Sequence, residues 1–246
     1  MFSPKLTQVR REWVLVVSTA MLVACVALGV AHRGGIGLNG DSSPIREADP
    51  LLFELRDLDW RVAAALRSVI APDGRLPIPF TVVDMLTGWP AWMVVVLTSA
   101  VVLWWRCSKT TAAFLMVAAL SVDAAALVAK VLFHPAFPYA LERNCSPAPE
   151  CLSTLRVLAT VYANYPSGHM ARATTMLVFL LLVSPGRRPV GRAARALVAS
   201  AILAAVAVGR IVEGHHDLTA VAGAALLGAG WGLLAIQLLR RRIGHG

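Results

Sequence analysis

An all-α membrane protein, a bundle of six transmembrane helices, is the fold class this sequence predicts, and three observations predict it. First, 57% of the 246 residues are hydrophobic and 15% are charged, with a mean hydropathy of +0.67. A soluble domain of this length needs more polar surface than that composition supplies. Second, the apolar residues fall in long blocks, each near the roughly 20 residues needed to cross about 30 Å of hydrocarbon. Third, clusters of Lys and Arg separate alternate blocks, as membrane topology requires. The formal charge of +9 is therefore explained without nucleic acid. No basic face or aromatic-interleaved basic patch accompanies it, so no nucleic-acid partner is expected.

The first block, residues 13–31, follows Lys5, Arg10 and Arg11. Gly29, Val30 and Ala31 make a small-residue stretch like a signal cleavage site. The apolar core nevertheless exceeds the roughly 7–15 residues of a signal peptide, so it reads as a retained anchor behind a short cytoplasmic segment, 1–12. A long outer loop, 32–84, comes next. Asp49-Pro50 reads as a helix N-cap and first-turn proline. Leu51, Leu52, Leu55, Leu58, Val62, Leu66 and Val69 then recur at helical steps, with Glu54, Arg56, Asp57, Asp59 and Arg61 between them. That is an amphipathic outer-face helix, lying on the membrane surface or capping the bundle.

The second block is 85–105 and the third is 110–133, interrupted by Asp123 and Lys130. Asp123 precedes Lys130 by seven residues and either pairs with it or faces a polar cavity. The fourth block, 161–183, carries His169 and Arg172 near its start; the fifth, 196–212, carries Arg210 near its end. The sixth, 218–239, is uncharged, and its Ala224, Gly228 and Gly232 at four-residue spacing predict close helix packing. The whole chain, 1–246, reads as one domain without internal repeats, with its chemistry in a core at 110–239.

Arg106, Lys109, Arg187, Arg188, Arg192, Arg195, Arg240, Arg241 and Arg242 share a side with the basic N-terminus, and Glu12 is the one acid among them. The positive-inside rule puts that side, and both termini, in the cytoplasm of a plasma membrane. Cys25 and Cys107 belong to apolar blocks, whereas Cys145 and Cys151 share an outer loop. They form a small disulfide or remain two free thiols.

Ionisable groups at membrane depth cost roughly 2.5–3.5 kcal/mol each and so demand a reason. Lys130, His169, Arg172, Arg210, His215 and His216 all fall at outer helix ends under this topology. Cations hold phosphate oxygens, one imidazole can attack phosphorus, and a second can protonate a leaving oxygen. Tyr165-Pro166-Ser167-Gly168-His169 opens the fourth block. A Ser-Gly pair at a helix start offers a hydroxyl and unpaired N–H groups to an anion.

These residues resemble the motifs of the type-2 phosphatidic acid phosphatases, or lipid phosphate phosphatases. The family pattern is Lys-x6-Arg-Pro, then Pro-Ser-Gly-His, then Ser-Arg-x5-His-x3-Asp. The second motif is complete at Pro166-Ser167-Gly168-His169. The first matches at Lys130 and Pro138, with Phe137 replacing its arginine. The third matches at Arg210 and His216, with Gly209 for its serine and Ala220 for its aspartate. The resemblance covers about residues 50–240.

The resemblance implies a metal-independent hydrolase with no cofactor, acting on a lipid phosphate or pyrophosphate such as undecaprenyl diphosphate, or a transferase of the same family. It implies that His216 attacks phosphorus and His169 protonates the leaving oxygen. Lys130, Ser167, the Gly168 N–H and Arg210 then hold the phosphoryl oxygens. Arg172, on the same helix face as His169, or Arg143 replaces the lost arginine; Asp217 or Glu213 replaces the lost aspartate. His215 offers a second register for the nucleophile. A member that binds lipid phosphates without turnover is the alternative, with Phe137 and Ala220 in its favour. A small transporter would need a polar midplane path, of which Asp123 is the one trace.

Overall fold

The computed structural model describes residues 4–35, 50–133, 165–183 and 189–243. Among these residues there are eight helices and no strand. They are α1 (Pro4–Gly35), α2 (Pro50–Ile70), α3 (Ile78–Thr87), α4 (Trp89–Arg106), α5 (Lys109–Phe133), α6 (Gly168–Val183), α7 (Pro189–Val212) and α8 (Leu218–Ile243). Cys145, Cys151, Phe137, Pro138 and Arg143 lie outside the described residues.

Five helices are long and apolar enough to cross a membrane: α1 over Glu12–Ala31, α4, α5, α7 over Val190–Val212, and α8. The sequence predicts six; the fourth predicted block forms α6, whose 16 residues give roughly 24 Å and which is shorter than the five. It starts at Gly168 rather than at 161, after the Tyr165-Pro166-Ser167 segment. The second span starts later than its apolar run. Gly88 is extended, at φ −68° and ψ 153°, and Pro90 follows in the first turn of α4. The chain therefore breaks at Gly88, and residues 85–87 belong to the short helix α3.

Local chemistry fixes the other ends. The Ser108 hydroxyl accepts the Thr111 N–H at 3.1 Å and caps α5. Asp217 Oδ1 accepts the Ala220 N–H at 2.9 Å and caps α8. Gly214, at φ +75°, closes α7 in a conformation that favours glycine.

Helix α8 is the central element: 61% of its apolar window is buried, against 17% for α1. Its small residues explain the contacts. A Cβ on Gly228 would stand 2.4 Å from the Ala171 carbonyl oxygen, and one on Gly232 would stand 3.0 Å from that of Thr175. The α6 and α8 backbones therefore touch, as the glycine spacing predicts, and the Thr175 hydroxyl donates across the contact to the Gly228 carbonyl at 3.0 Å. Gly230 faces Ser18 and Leu22 of α1, and Trp231 Nε1 donates to Ser121 Oγ of α5 at 2.8 Å. Large apolar side chains on α4 and α5, such as Val94, Val101, Val117 and Val128, face outward. Trp13, Trp104 and Trp105 are exposed near the ends of the apolar spans, where membrane proteins carry their interfacial aromatics.

Helix α2 forms where the periodicity predicts it and packs on α1, α7 and α8. Arg61 pairs with Asp57 at 2.7 Å on its exposed face.

Candidate active site

One end of the bundle collects the start of α6, the ends of α5 and α7, the α7–α8 turn and the α3–α4 junction. The Tyr165–Ser167 segment is fastened there before α6 begins. Tyr165 is buried, donates to the Cys25 carbonyl of α1 and packs edge-on against Phe133 at 5.7 Å between ring centroids. The Ser167 N–H donates to the Ala220 carbonyl at 3.3 Å. Ser167 is thereby held between α6 and α8, fully buried, yet its hydroxyl makes no hydrogen bond among the described residues. A hydroxyl and free helix N–H groups at one point form an anion-binding arrangement.

His169 is one residue into α6, and its Nε2 lies 3.9 Å from where a Cβ on Gly88 would stand. It sits in the positive field of Arg210, Arg172, Lys130 and His215. Lys130, in turn, lies in the field of Arg172 and Arg210. The fold thus brings Lys130, Ser167, Gly168, His169, Arg172 and Arg210 together from three separate helices.

The two arginines are held differently from a snorkelling side chain, since both are buried and ion-paired. Arg210 Nη1 contacts Asp84 Oδ1 and lies 3.3 Å from Glu213 Oε2. The same Asp84 oxygen is 4.0 Å from His169 Nε2. Arg210 Nε is buried and has no hydrogen-bond partner among the described residues. Arg172 Nε donates to Asp123 Oδ1 at 2.5 Å, its Nη1 donates to the Thr87 carbonyl at 3.2 Å, and its guanidinium lies over the Trp89 ring at 5.8 Å. Its Nη2 is 4.0 Å from where a Cβ on Gly168 would stand.

One sequence expectation is corrected here. Asp123 pairs with Arg172, a residue of the neighbouring helix, rather than with Lys130 of its own. Asp217 is engaged as the α8 cap and also bonds Thr219 Oγ1 at 3.2 Å. Glu213 Oε2 meets His215 Nδ1 at 3.1 Å. His216 is half-buried on the same turn, and its N–H donates to the Arg210 carbonyl at 3.2 Å.

The model of the PAP2 superfamily matches residues 109–243. The chain belongs to the PAP2 superfamily. No curated protein and no solved structure matches it. Proteins of the PAP2 superfamily generally hydrolyse phosphate esters, and this chain, with its apolar helices, is a membrane phosphatase-type member.

The PAP2 match begins at the first residue of α5 and ends at the last of α8. It therefore contains every site residue expected from the motifs. Asp84, Thr87 and Trp89 lie outside it, on α3 and α4. The sequence signal for Asp84 is an acid alone in an apolar stretch, Ile78-Pro79-Phe80-Thr81-Val82-Val83-Asp84-Met85-Leu86. Such a charge needs a partner, but nothing in the sequence says that the partner is Arg210.

Proposed function

We propose that this PAP2 protein hydrolyses a phosphomonoester or pyrophosphate on a lipid, without metal, at the extracytoplasmic face of the plasma membrane. The observation that carries this reading is the convergence of Lys130, His169 and Arg210 around a helix start whose buried Ser167 hydroxyl has no partner among the described residues. Buried polar atoms ordinarily find partners. A phosphoryl group would supply acceptors to the Arg210 Nε–H, the Ser167 hydroxyl and the Gly168 N–H.

In the reaction, a His216 ring nitrogen attacks phosphorus as the bond from phosphorus to the lipid oxygen breaks. The bound phosphate's negative charge offsets the positive field around His169; the His169 imidazolium gives a proton to that oxygen, and the lipid alcohol or lipid monophosphate leaves. Water, deprotonated by His169, then attacks the phosphohistidine; inorganic phosphate departs and His216 is restored. Lys130, Arg210, Ser167 and Gly168 stabilise the negative charge on the equatorial oxygens. Arg172 is two-thirds committed to Asp123 and Thr87, so its contribution is electrostatic and confined to Nη2.

The test is phosphate release from a panel of lipid phosphates in detergent, with EDTA present. Release from at least one lipid, together with an acid-labile phosphoenzyme absent in His216→Ala and present in His215→Ala, supports the reading. Loss of the phosphoenzyme in His215→Ala alone moves the nucleophile to the neighbouring histidine. A binding protein without turnover is the second reading. It is favoured by Ala220 and Phe137 and by the Asp84 carboxylate already resting on Arg210. It predicts lipid-phosphate binding and no release from any substrate.

A further inference from the structure

The third motif lacks its carboxylate at Ala220, yet another carboxylate is buried one residue away. Asp59 of α2 is 9% exposed. Its Oδ1 accepts the Thr219 N–H at 3.0 Å and its Oδ2 accepts the Thr219 hydroxyl at 2.9 Å. Burying a carboxylate is costly unless hydrogen bonds hold it, and these two come from the first turn of α8. Other acids of the same helix, Glu54 and Asp57, stay on the exposed face with Arg61.

Two turns further along α2, Arg67 Nε donates to the Val212 carbonyl at 2.9 Å. Its Nη2 lies 2.5 Å from where a Cβ on Gly214 would stand. The left-handed Gly214 therefore admits Arg67 as well as closing the helix. Helix α2 grips the segment bearing His215 and His216 on both sides, at Val212 and at Thr219. A carboxylate next to a nucleophilic imidazole fixes its tautomer and orientation.

We infer that Asp59 is the positioning residue for His216, supplying from α2 the carboxylate that the motif lacks at Ala220. This rests on His216 being the group that attacks phosphorus. It also gives α2, which lies outside the matched PAP2 region, a part in the chemistry.

The test uses the full chain in detergent, with two readouts: phosphate release, and binding of orthovanadate alone, which a nucleophilic histidine captures without turnover. Asp59→Asn lowers kcat and vanadate affinity by at least about 10-fold, up to the roughly 10⁴-fold loss in kcat of a triad Asp→Asn change, with KM little changed. Thr219→Val cuts the Oδ2 tether but leaves the carboxylate, and stays within about threefold of wild type. Asp59→Asn with Ala220→Asp restores the carboxylate without the tether and regains most of the loss. Gel filtration and thermal unfolding confirm that each variant folds.

Asp59→Asn matching wild type in both readouts overturns the inference. So does Thr219→Val falling as far as Asp59→Asn, because the role is then only structural. Wild-type vanadate binding that depends on Asp59, without phosphate release, overturns the proposed hydrolysis and leaves this inference standing. No release and no vanadate binding overturns both.

Discussion

The two ends of this bundle are rich in cations and treat them in opposite ways. At one end Arg106, Lys109, Arg192, Arg240, Arg241 and Arg242 are exposed, and Lys109 rests over the Trp104 ring at 5.3 Å. At the other end Arg172 and Arg210 are buried, each against a carboxylate from a different helix. Exposed cations keep their hydration and cost nothing to hold. Buried ones persist only if the fold supplies partners. The first end therefore leaves its cations in water, and the second gathers the candidate site.

The largest expected effect sets the ends apart in activity. His169→Ala should lower phosphate release by roughly 10²–10⁴-fold, the usual worth of a general acid. Arg241→Gln at the opposite end should leave the rate unchanged. Equal losses in lipid-phosphate assays would erase the distinction.

Next comes stability at the paired end. Asp123→Ala leaves Arg172 buried without its carboxylate, and the cost should be about 3–5 kcal/mol. Asp123→Leu combined with Arg172→Leu should recover most of that in thermal unfolding. If it does not, the pair does more than neutralise itself.

A smaller effect tests how the site end is assembled. Gly228→Val puts methyl groups against the Ala171 carbonyl and Thr174, for about 1–3 kcal/mol of overpacking. Because α6 carries His169 and begins directly after Ser167, activity should fall with stability. Unfolding and turnover measured on the same preparation decide this. The smallest effect belongs to the exposed end: Lys109→Ala should cost about 0.5–1 kcal/mol at most, by loss of the cation–π contact, with no change in turnover.

Much of this was legible in sequence. Long apolar blocks with few charges marked the long helices, because hydrocarbon tolerates few charges. Basic clusters marked one end, and the glycines of α8 foretold its contact with α6. Lys130, Pro166-Ser167-Gly168-His169, Arg210 and His216 stood out as motif residues. Their partners did not. Asp84 meets Arg210 across 126 positions, Asp123 meets Arg172 across 49, and Asp59 meets Thr219 across 160.

The sequence by itself determined where most of the long helices lie, which end is rich in exposed cations and which residues match the family motifs. Periodicity and apolar length are local properties of the chain, and they suffice for that. Only the tertiary structure decided which carboxylate meets which cation, that the α3–α4 chain breaks at Gly88 beside His169, and that α2 holds the α7–α8 turn. Those choices depend on the neighbours and rotation of each helix, which close packing at Gly228, Gly230 and Gly232 sets and no single segment encodes.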